Sequence, residues 1–129
     1  MSSQIDWETQ EHAAGRVWSP PPYRQPWNAS SAKLASSIVA HTGVCRLVGF
    51  TVTSTNASAQ FIQVYDAAAV PANGAIPLFT FNVALVNSVT GYWGSMGRWC
   101  DRGIVLCNST TQGTLTIGAA DTLFDVQYF

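Results

Sequence analysis

The sequence predicts an all-β fold, a jelly-roll-like antiparallel β-sandwich preceded by an extended N-terminal arm. Three observations carry this. From residue 31 onward, apolar and polar residues alternate with a period of two, segment after segment. Turn-forming clusters rich in Gly, Pro, Asn, Asp and Ser separate those segments at short intervals. The first 30 residues show no apolar periodicity, yet they hold Trp7, Trp18, Trp27 and the run Pro20-Pro21-Pro22. A chain of 129 residues supports one domain of ordinary size. The expected organisation is therefore an arm over residues 1–30 and a sandwich domain over residues 31–129.

Within the arm, residues 5–15 (IDWETQEHAAG) read as a short helix, with Asp6 as its cap and Gly15 as its stop. Residues 17–27 (VWSPPPYRQPW) hold four of the six prolines and should run extended. Thirty extended residues span roughly 100 Å at ~3.3 Å each, enough to reach a neighbouring molecule. The arm cannot bury three indoles by itself, so it is expected to bury them against something else.

In the domain, residues 35–40 read as a weak strand. Residues 47–53 (LVGFTVT) place Val48, Phe50 and Val52 on one face. Residues 60–66 (QFIQVYD) place Ile62 and Val64 on one face, with Phe61, Gln63 and Tyr65 on the other. Residues 78–85 (LFTFNVAL) alternate most cleanly, with Phe79, Phe81, Val83 and Leu85 facing one way. Residues 104–108 (IVLCN) read as a short buried strand, and strands follow over 114–117 and 122–129. In the last, Phe124, Val126 and Tyr128 form the inward set. Turns are expected at 41–43, 56–58, 71–74, 90–91, 111–113 and 118–121. The link over residues 110–113 is short enough for a hairpin. Seven or eight short strands without a convincing helix mean a sandwich or barrel. A jelly roll comes first and an immunoglobulin-like sandwich second.

Only 10% of the residues are charged, against roughly a quarter in a typical soluble protein. Lys33 is the single lysine, and Thr, Ser, Asn, Gln and Ala fill the polar strand positions. Such a surface loses little on desolvation and suits close packing against other subunits. The net charge of −1 and the lack of a basic stripe argue against a nucleic-acid partner. The first fifteen residues are polar and acidic, unlike a signal peptide, and no apolar run approaches the ~18 residues of a bilayer span. Synthesis in the cytoplasm without membrane association is the expectation. The three cysteines, Cys45, Cys100 and Cys107, give no closed disulfide framework and no C-x-x-C spacing, so reduced structural thiols are expected.

Catalysis is not expected. His12 and His41 have no partner at metal-ligand spacing, and no phosphate loop or G-x-S-x-G elbow occurs. Asp121 and Asp125, four apart, share one face if both lie in a strand, but a solvated strand edge explains them better than a glycosidase pair. No cofactor or metal is expected. The dense local cluster is residues 91–103 (GYWGSMGRWCDRG), with Tyr92, Trp93, Arg98, Trp99 and Arg102 among four glycines. Trp, Tyr and Arg dominate interface hot spots. Three readings stand for this loop: a plug for the end of the sandwich, a subunit interface, and a ligand site.

The segments RLVGFTVTSTNASAQFIQVYDAAAVPANGAIPLFTFNV, GRWCDRGIVLCNSTT and DTLFDVQYF, all within residues 45–129, resemble a group of small tailed-bacteriophage structural proteins. The resemblance covers about two thirds of the chain and consists of strands and turns rather than a catalytic signature. It implies a virion component, with capsid decoration (cement) protein as the role closest to it. That role implies a homotrimer on the outside of an icosahedral shell, clamping neighbouring capsomers, with the major capsid protein as partner. Trp7, Val17, Trp18, Tyr23 and Trp27 of the arm would then contact the shell. A tail, baseplate or fibre component of the same particle is the alternative. A carbohydrate-binding sandwich stacking sugars on Tyr92, Trp93 and Trp99 is a more distant one.

Overall fold

The computed structural model describes residues 25–83 and 87–129, which are all-β and contain no helix. Nine strands follow in order: β1 (Trp27–Ser30), β2 (Ser37–Thr42), β3 (Cys45–Ser54), β4 (Gln60–Tyr65), β5 (Phe79–Val83), β6 (Asn87–Tyr92), β7 (Arg98–Cys100), β8 (Gly103–Ser109) and β9 (Thr122–Tyr128). Every pairing is antiparallel. β1 pairs with β9, β2 with β8, β3 with β6 and β7, and β4 with β5. Each pair couples an early strand to a late one, so the chain is one long ribbon doubled back at the β4–β5 connection.

A two-stranded ribbon cannot bury its apolar face alone. Wrapped on itself, the ribbon brings β9 beside β3 and β8 beside β4. Two sheets result, one ordered β1-β9-β3-β6 with β7 also on β3, the other ordered β2-β8-β4-β5. This is the strand order of a jelly roll. Leu47, Phe50, Val52, Ile62, Leu106 and Phe124 meet between the sheets. The alternations read for β4, β5 and β9 hold: Ile62 and Val64, Phe79 and Phe81, and Phe124 and Val126 all point into that core.

β8 is buried along all seven residues. Ile104 and Leu106 face the sandwich core, while Val105 and Cys107 face a second cluster with Tyr65 and Leu115 on the outside of the β2-β8-β4-β5 sheet. The three cysteines are free and buried. Burial raises all three thiol pKa values, Cys100 to about 11 and Cys107 to about 12; at Cys45 the negative Asp66 adds to the rise. The folded protein is therefore expected to resist a thiol reagent at pH 8, and all three thiols should react once it is unfolded in denaturant. Rapid labelling of the native chain would contradict this burial.

Several boundaries differ from the sequence expectation. Trp27–Ser30 is a sheet strand rather than part of the arm, its backbone completed by β9. The expected turn at 90–91 lies inside β6, because Gly91 serves close approach. A Cβ there would stand 2.6 Å from the Phe50 ring. Residues 114–117 form no strand beyond an isolated bridge from Ile117 to Ser109, so residues 110–113 do not close a hairpin. Side chains replace the ladder there: the Gln63 amide donates to the carbonyls of Thr111, Gln112 and Thr114. A bulge in β3 between Leu47 and Gly49 breaks the alternation expected at Val48.

Candidate interaction surface

The two outer faces of the sandwich differ. On the β2-β8-β4-β5 sheet, residues 66–78 and 110–118 supply the cover. Leu115 is buried on Tyr65 and Cys107, the Tyr65 hydroxyl donates to Gln63 Oε1 at 2.6 Å, and Leu115 N–H donates to the Ala75 carbonyl. The outer face of the other sheet has no such cover among the described residues. It presents Asn28 and Ser30 on β1, Asp125 and Gln127 on β9, Thr51 and Thr53 on β3, and Ser88, Thr90 and Tyr92 on β6, row against row. Thr53 and Ser88 share a hydrogen bond of 2.9 Å, and Thr51 and Thr90 one of 3.3 Å. Hydroxyls bonded to one another leave a flat, nearly uncharged surface.

β6 and β7 are one strand interrupted. Both run antiparallel to β3 along the same edge, β6 beside Gly49–Ser54 and β7 beside Cys45–Leu47. Residues 93–97 leave the sheet between them and return. Gly94 and Gly97 have φ of 82° and 71°, which permits the tight excursion, and a Cβ on Gly97 would stand 2.9 Å from the Leu47 carbonyl oxygen. The excursion sends neighbouring aromatics to opposite sides. Trp93 turns inward against Phe50, Phe79 and Phe81, with ring centroids 5.2–6.2 Å apart. Arg98 turns to the same side and lies 5.4 Å over the Phe79 ring. Tyr92 and Trp99 turn outward and are 72% and 58% exposed, with Met96 between them at 73%.

Trp99 stands in a row that crosses the sheet. Its partner across the β7–β3 pairing is Arg46, and Arg46 exchanges backbone hydrogen bonds with Phe129 on the far side. The row Trp99–Arg46–Phe129 is held rigid. Trp99 Nε1 donates to Asp101 Oδ1 at 2.6 Å, Arg46 donates to the Met96 carbonyl, and its guanidinium lies 5.1 Å over the Phe129 ring. Beside the row, Gly49 floors a shallow depression of about 310 Å³ walled by Tyr92, Thr51, Asp125 and Gln127. Gly49 is required there because a Cβ would stand 2.8 Å from the Gly91 carbonyl oxygen.

Asp66, at the end of β4, anchors the loop that follows β7. Its carboxylate accepts backbone N–H bonds from Asp101 (3.0 Å), Arg102 (2.8 Å) and Gly103 (3.3 Å). Partial burial alone would raise its pKa, but the three N–H donors and the Arg102 charge outweigh that and hold it below the usual 3.8. A depressed carboxylate stabilises the fold above its unfolded pKa, and that stability is lost as the pH falls through the folded value. The urea midpoint is therefore expected to fall below pH 4. Asp66→Ala should cost roughly 2 kcal/mol at pH 7, since it strands N–H groups that bonded to a charge. An Asp66→Ala midpoint matching the parent at pH 7 would contradict this anchor.

The residues expected at the site thus divide. Tyr92 and Trp99 belong to the exposed face, Trp93 and Arg98 pack on the sandwich, and exposed Arg102 offers its backbone N–H to Asp66. Trp27 aligns with Tyr128 in the sheet. Trp7, Val17, Trp18 and Tyr23 lie outside the described residues. Asp121 and Asp125 do not pair: Asp121 accepts from Asn56 and Asn108, whereas Asp125 lies on the open face. Arg46 and Phe129, which are not among the expected site residues, supply the centre and one end of the row. Their adjacency depends on strand register, which alternation does not encode. Among the described residues, no group of three or more His, Cys, Asp or Glu is placed to hold a metal. No family model matches the chain, and no curated protein or solved structure matches it.

Proposed function

We propose that this protein is a capsid decoration protein of a tailed bacteriophage, bound as a homotrimer to the outside of the shell through the major capsid protein. The observation that carries the reading is the open sheet face with its rigid Trp99–Arg46–Phe129 row beside exposed Tyr92. An exposed Trp and Tyr flanking a fixed Arg have the composition of an interface hot spot, and the neutral Thr and Ser rows of β3 and β6 beside them lose little on desolvation. A jelly roll with short turns supplies a stiff body. The N-terminal arm supplies the tether, with Trp7, Val17, Trp18 and Tyr23 as its contacts and Trp27 at its root in β1. Function is then a sum of binding free energies with no bond made or broken, and a trimer multiplies modest contacts by engaging several capsomers at once.

Copy number tests the reading. Quantitative mass spectrometry of purified particles is expected to find the chain near one copy per major capsid protein. A ratio far below that would assign it to the tail or a vertex. Absence from particles would remove the virion reading altogether.

A further inference from the structure

We propose that Cys45 and Cys100 are a disulfide site, which closes in an oxidising medium, staples β7 to β3 and leaves Cys107 as a thiol. The inference goes beyond the decoration role and does not depend on it.

Strand register brings the two thiols together. Cys45 on β3 stands directly opposite Cys100 on β7. Opposed residues of an antiparallel pair send their side chains to the same face, and both of these lie in the sandwich core. The backbone fixes the type of pair. Arg46 exchanges both of its backbone hydrogen bonds with Phe129, the residue after β9. Successive residues of a strand turn their N–H and C=O groups to opposite sides, so Cys45 turns its own toward Cys100. The Cα atoms of such a hydrogen-bonded pair stand ~5.5 Å apart, inside the range of roughly 4.4–6.8 Å that a disulfide spans. Their Cβ atoms, also ~5.5 Å apart, must close by about 1 Å. β7 has the freedom to do so. It is an edge strand of three residues, it pairs with β3 alone among the described strands, and Gly97 with φ of 71° precedes it. The two sulfurs also sense each other: burial raises the Cys100 thiol to about 11, and the charges of Asp66 and Cys45 add to the rise.

The flanking loops hold this register. Asp66 accepts the N–H groups of Asp101, Arg102 and Gly103, immediately after Cys100, and Gly43 N–H, two residues before Cys45, donates to the Arg102 carbonyl. Cys107 has no cysteine beside it. It stands on β8 opposite Ser37 and Gln63, in the cluster on the outer face of the other sheet. The chemistry is exchange with a small disulfide such as oxidised glutathione. One protein thiolate attacks a sulfur of the oxidant, which releases one reduced glutathione and leaves a mixed disulfide. The second thiolate attacks the protein sulfur of that mixed disulfide and releases the other. The two thiols lose two protons and two electrons, and the oxidant gains them as two molecules of reduced glutathione. The new bond lies one residue from Arg46 on β3 and one from Trp99 on β7, so it fastens that end of the exposed row.

The test uses the full chain. Reduced and unfolded in urea, it is refolded with reduced and oxidised glutathione, which gives the oxidant access to thiols that the finished fold buries. Remaining thiols are blocked with N-ethylmaleimide in denaturant. Trypsin, cutting after Lys33, Arg46, Arg98 and Arg102, then places the three cysteines in separate peptides. The expected product joins residues 34–46 to residues 99–102, with the blocking group on Cys107. Chain proximity alone would favour Cys100 with Cys107 over a loop of ~55 residues, so dominance of the distant pair reads the strand register. The oxidised chain should melt on the order of 5–10 °C above the reduced chain. That difference should persist in Cys107→Ala, where the pair is intact, and vanish in Cys100→Ala. Each variant is compared with its own reduced form, so the cost of the substitution itself cancels. Three blocked peptides, or a pair that includes Cys107, would overturn the proposal. So would an oxidised chain that melts no higher than the reduced one, or a difference that survives in Cys100→Ala.

Discussion

Trp93→Ala is expected to lower the free energy of unfolding by about 2–4 kcal/mol, while Trp99→Ala, six residues on, changes it by less than about 0.5 kcal/mol. Trp93 closes one end of the sandwich with its ring against Phe50, Phe79 and Phe81, while its backbone N–H donates to the Val48 carbonyl, a bond that alanine keeps. Truncation leaves three phenylalanine rings facing a void that the stiff sheets cannot collapse to fill. The ring is half-buried, so the loss falls below that of a fully enclosed tryptophan. Trp99 contributes little because it touches mainly its own edge of the sheet and water. Urea denaturation measures both, and the slope of the transition should stay constant if the unfolded state is unaffected. Trp93→Phe should recover about half of the loss. A large destabilisation by Trp99→Ala with a neutral Trp93→Ala would mean that the excursion faces the other way.

On the proposed decoration role, removing residues 1–24 is expected to leave the body folded and to weaken its binding to undecorated shells by a factor on the order of 10²–10⁴, the range that linked attachment adds over single contacts. The truncated chain keeps β1 entire. It also keeps the hydrogen bonds that close the sheet beside it, from Ser31 N–H to the Phe124 carbonyl and from Phe124 N–H to the Ser31 hydroxyl. Its thermal midpoint should therefore lie close to that of the full chain. Co-sedimentation with shells prepared without this protein reads the affinity. Undiminished binding by the truncated chain would show that the arm is not the tether and would shift the contact to the open sheet face.

The parts of this fold that were legible in the sequence are those where one face of a strand is buried and the other is wet. β9 is the clearest case, with Phe124 and Val126 inward and Leu123, Asp125 and Gln127 outward. Legibility failed where a residue answers to something distant. Gly91 carries a turn signal but sits within β6 because the Phe50 ring occupies the space of its Cβ. Leu115 reads as a strand residue, yet it is a cover for the outer face of the β2-β8-β4-β5 sheet. Trp27–Ser30 has no alternation of its own and becomes a strand through β9, roughly a hundred residues later. At the candidate site, residue type was informative and position was not. Tyr92, Trp93 and Trp99 were identifiable as a cluster, but the glycine-borne excursion that sends them to opposite sides was not. The pairing of Arg46 with Phe129 emerges only once the wrapped ribbon has set its register.

The attachment of the arm has a mechanical meaning. β1 lies antiparallel to β9 and enters the sheet from the Tyr128 end, so a pull on the preceding residues runs along the strand axis. The ladder bonds lie perpendicular to that pull and are stressed together, in shear. A strand drawn sideways would instead lose them one after another, like a zip. Four residues of pairing then resist as a unit, with the side chains of Trp27 and Ala29 needing to slide past Tyr128 and Val126 at the same moment. For a body held to a surface by its N-terminal arm, this converts a short edge strand into a fastening that resists tension along the tether and yields to peeling from the side.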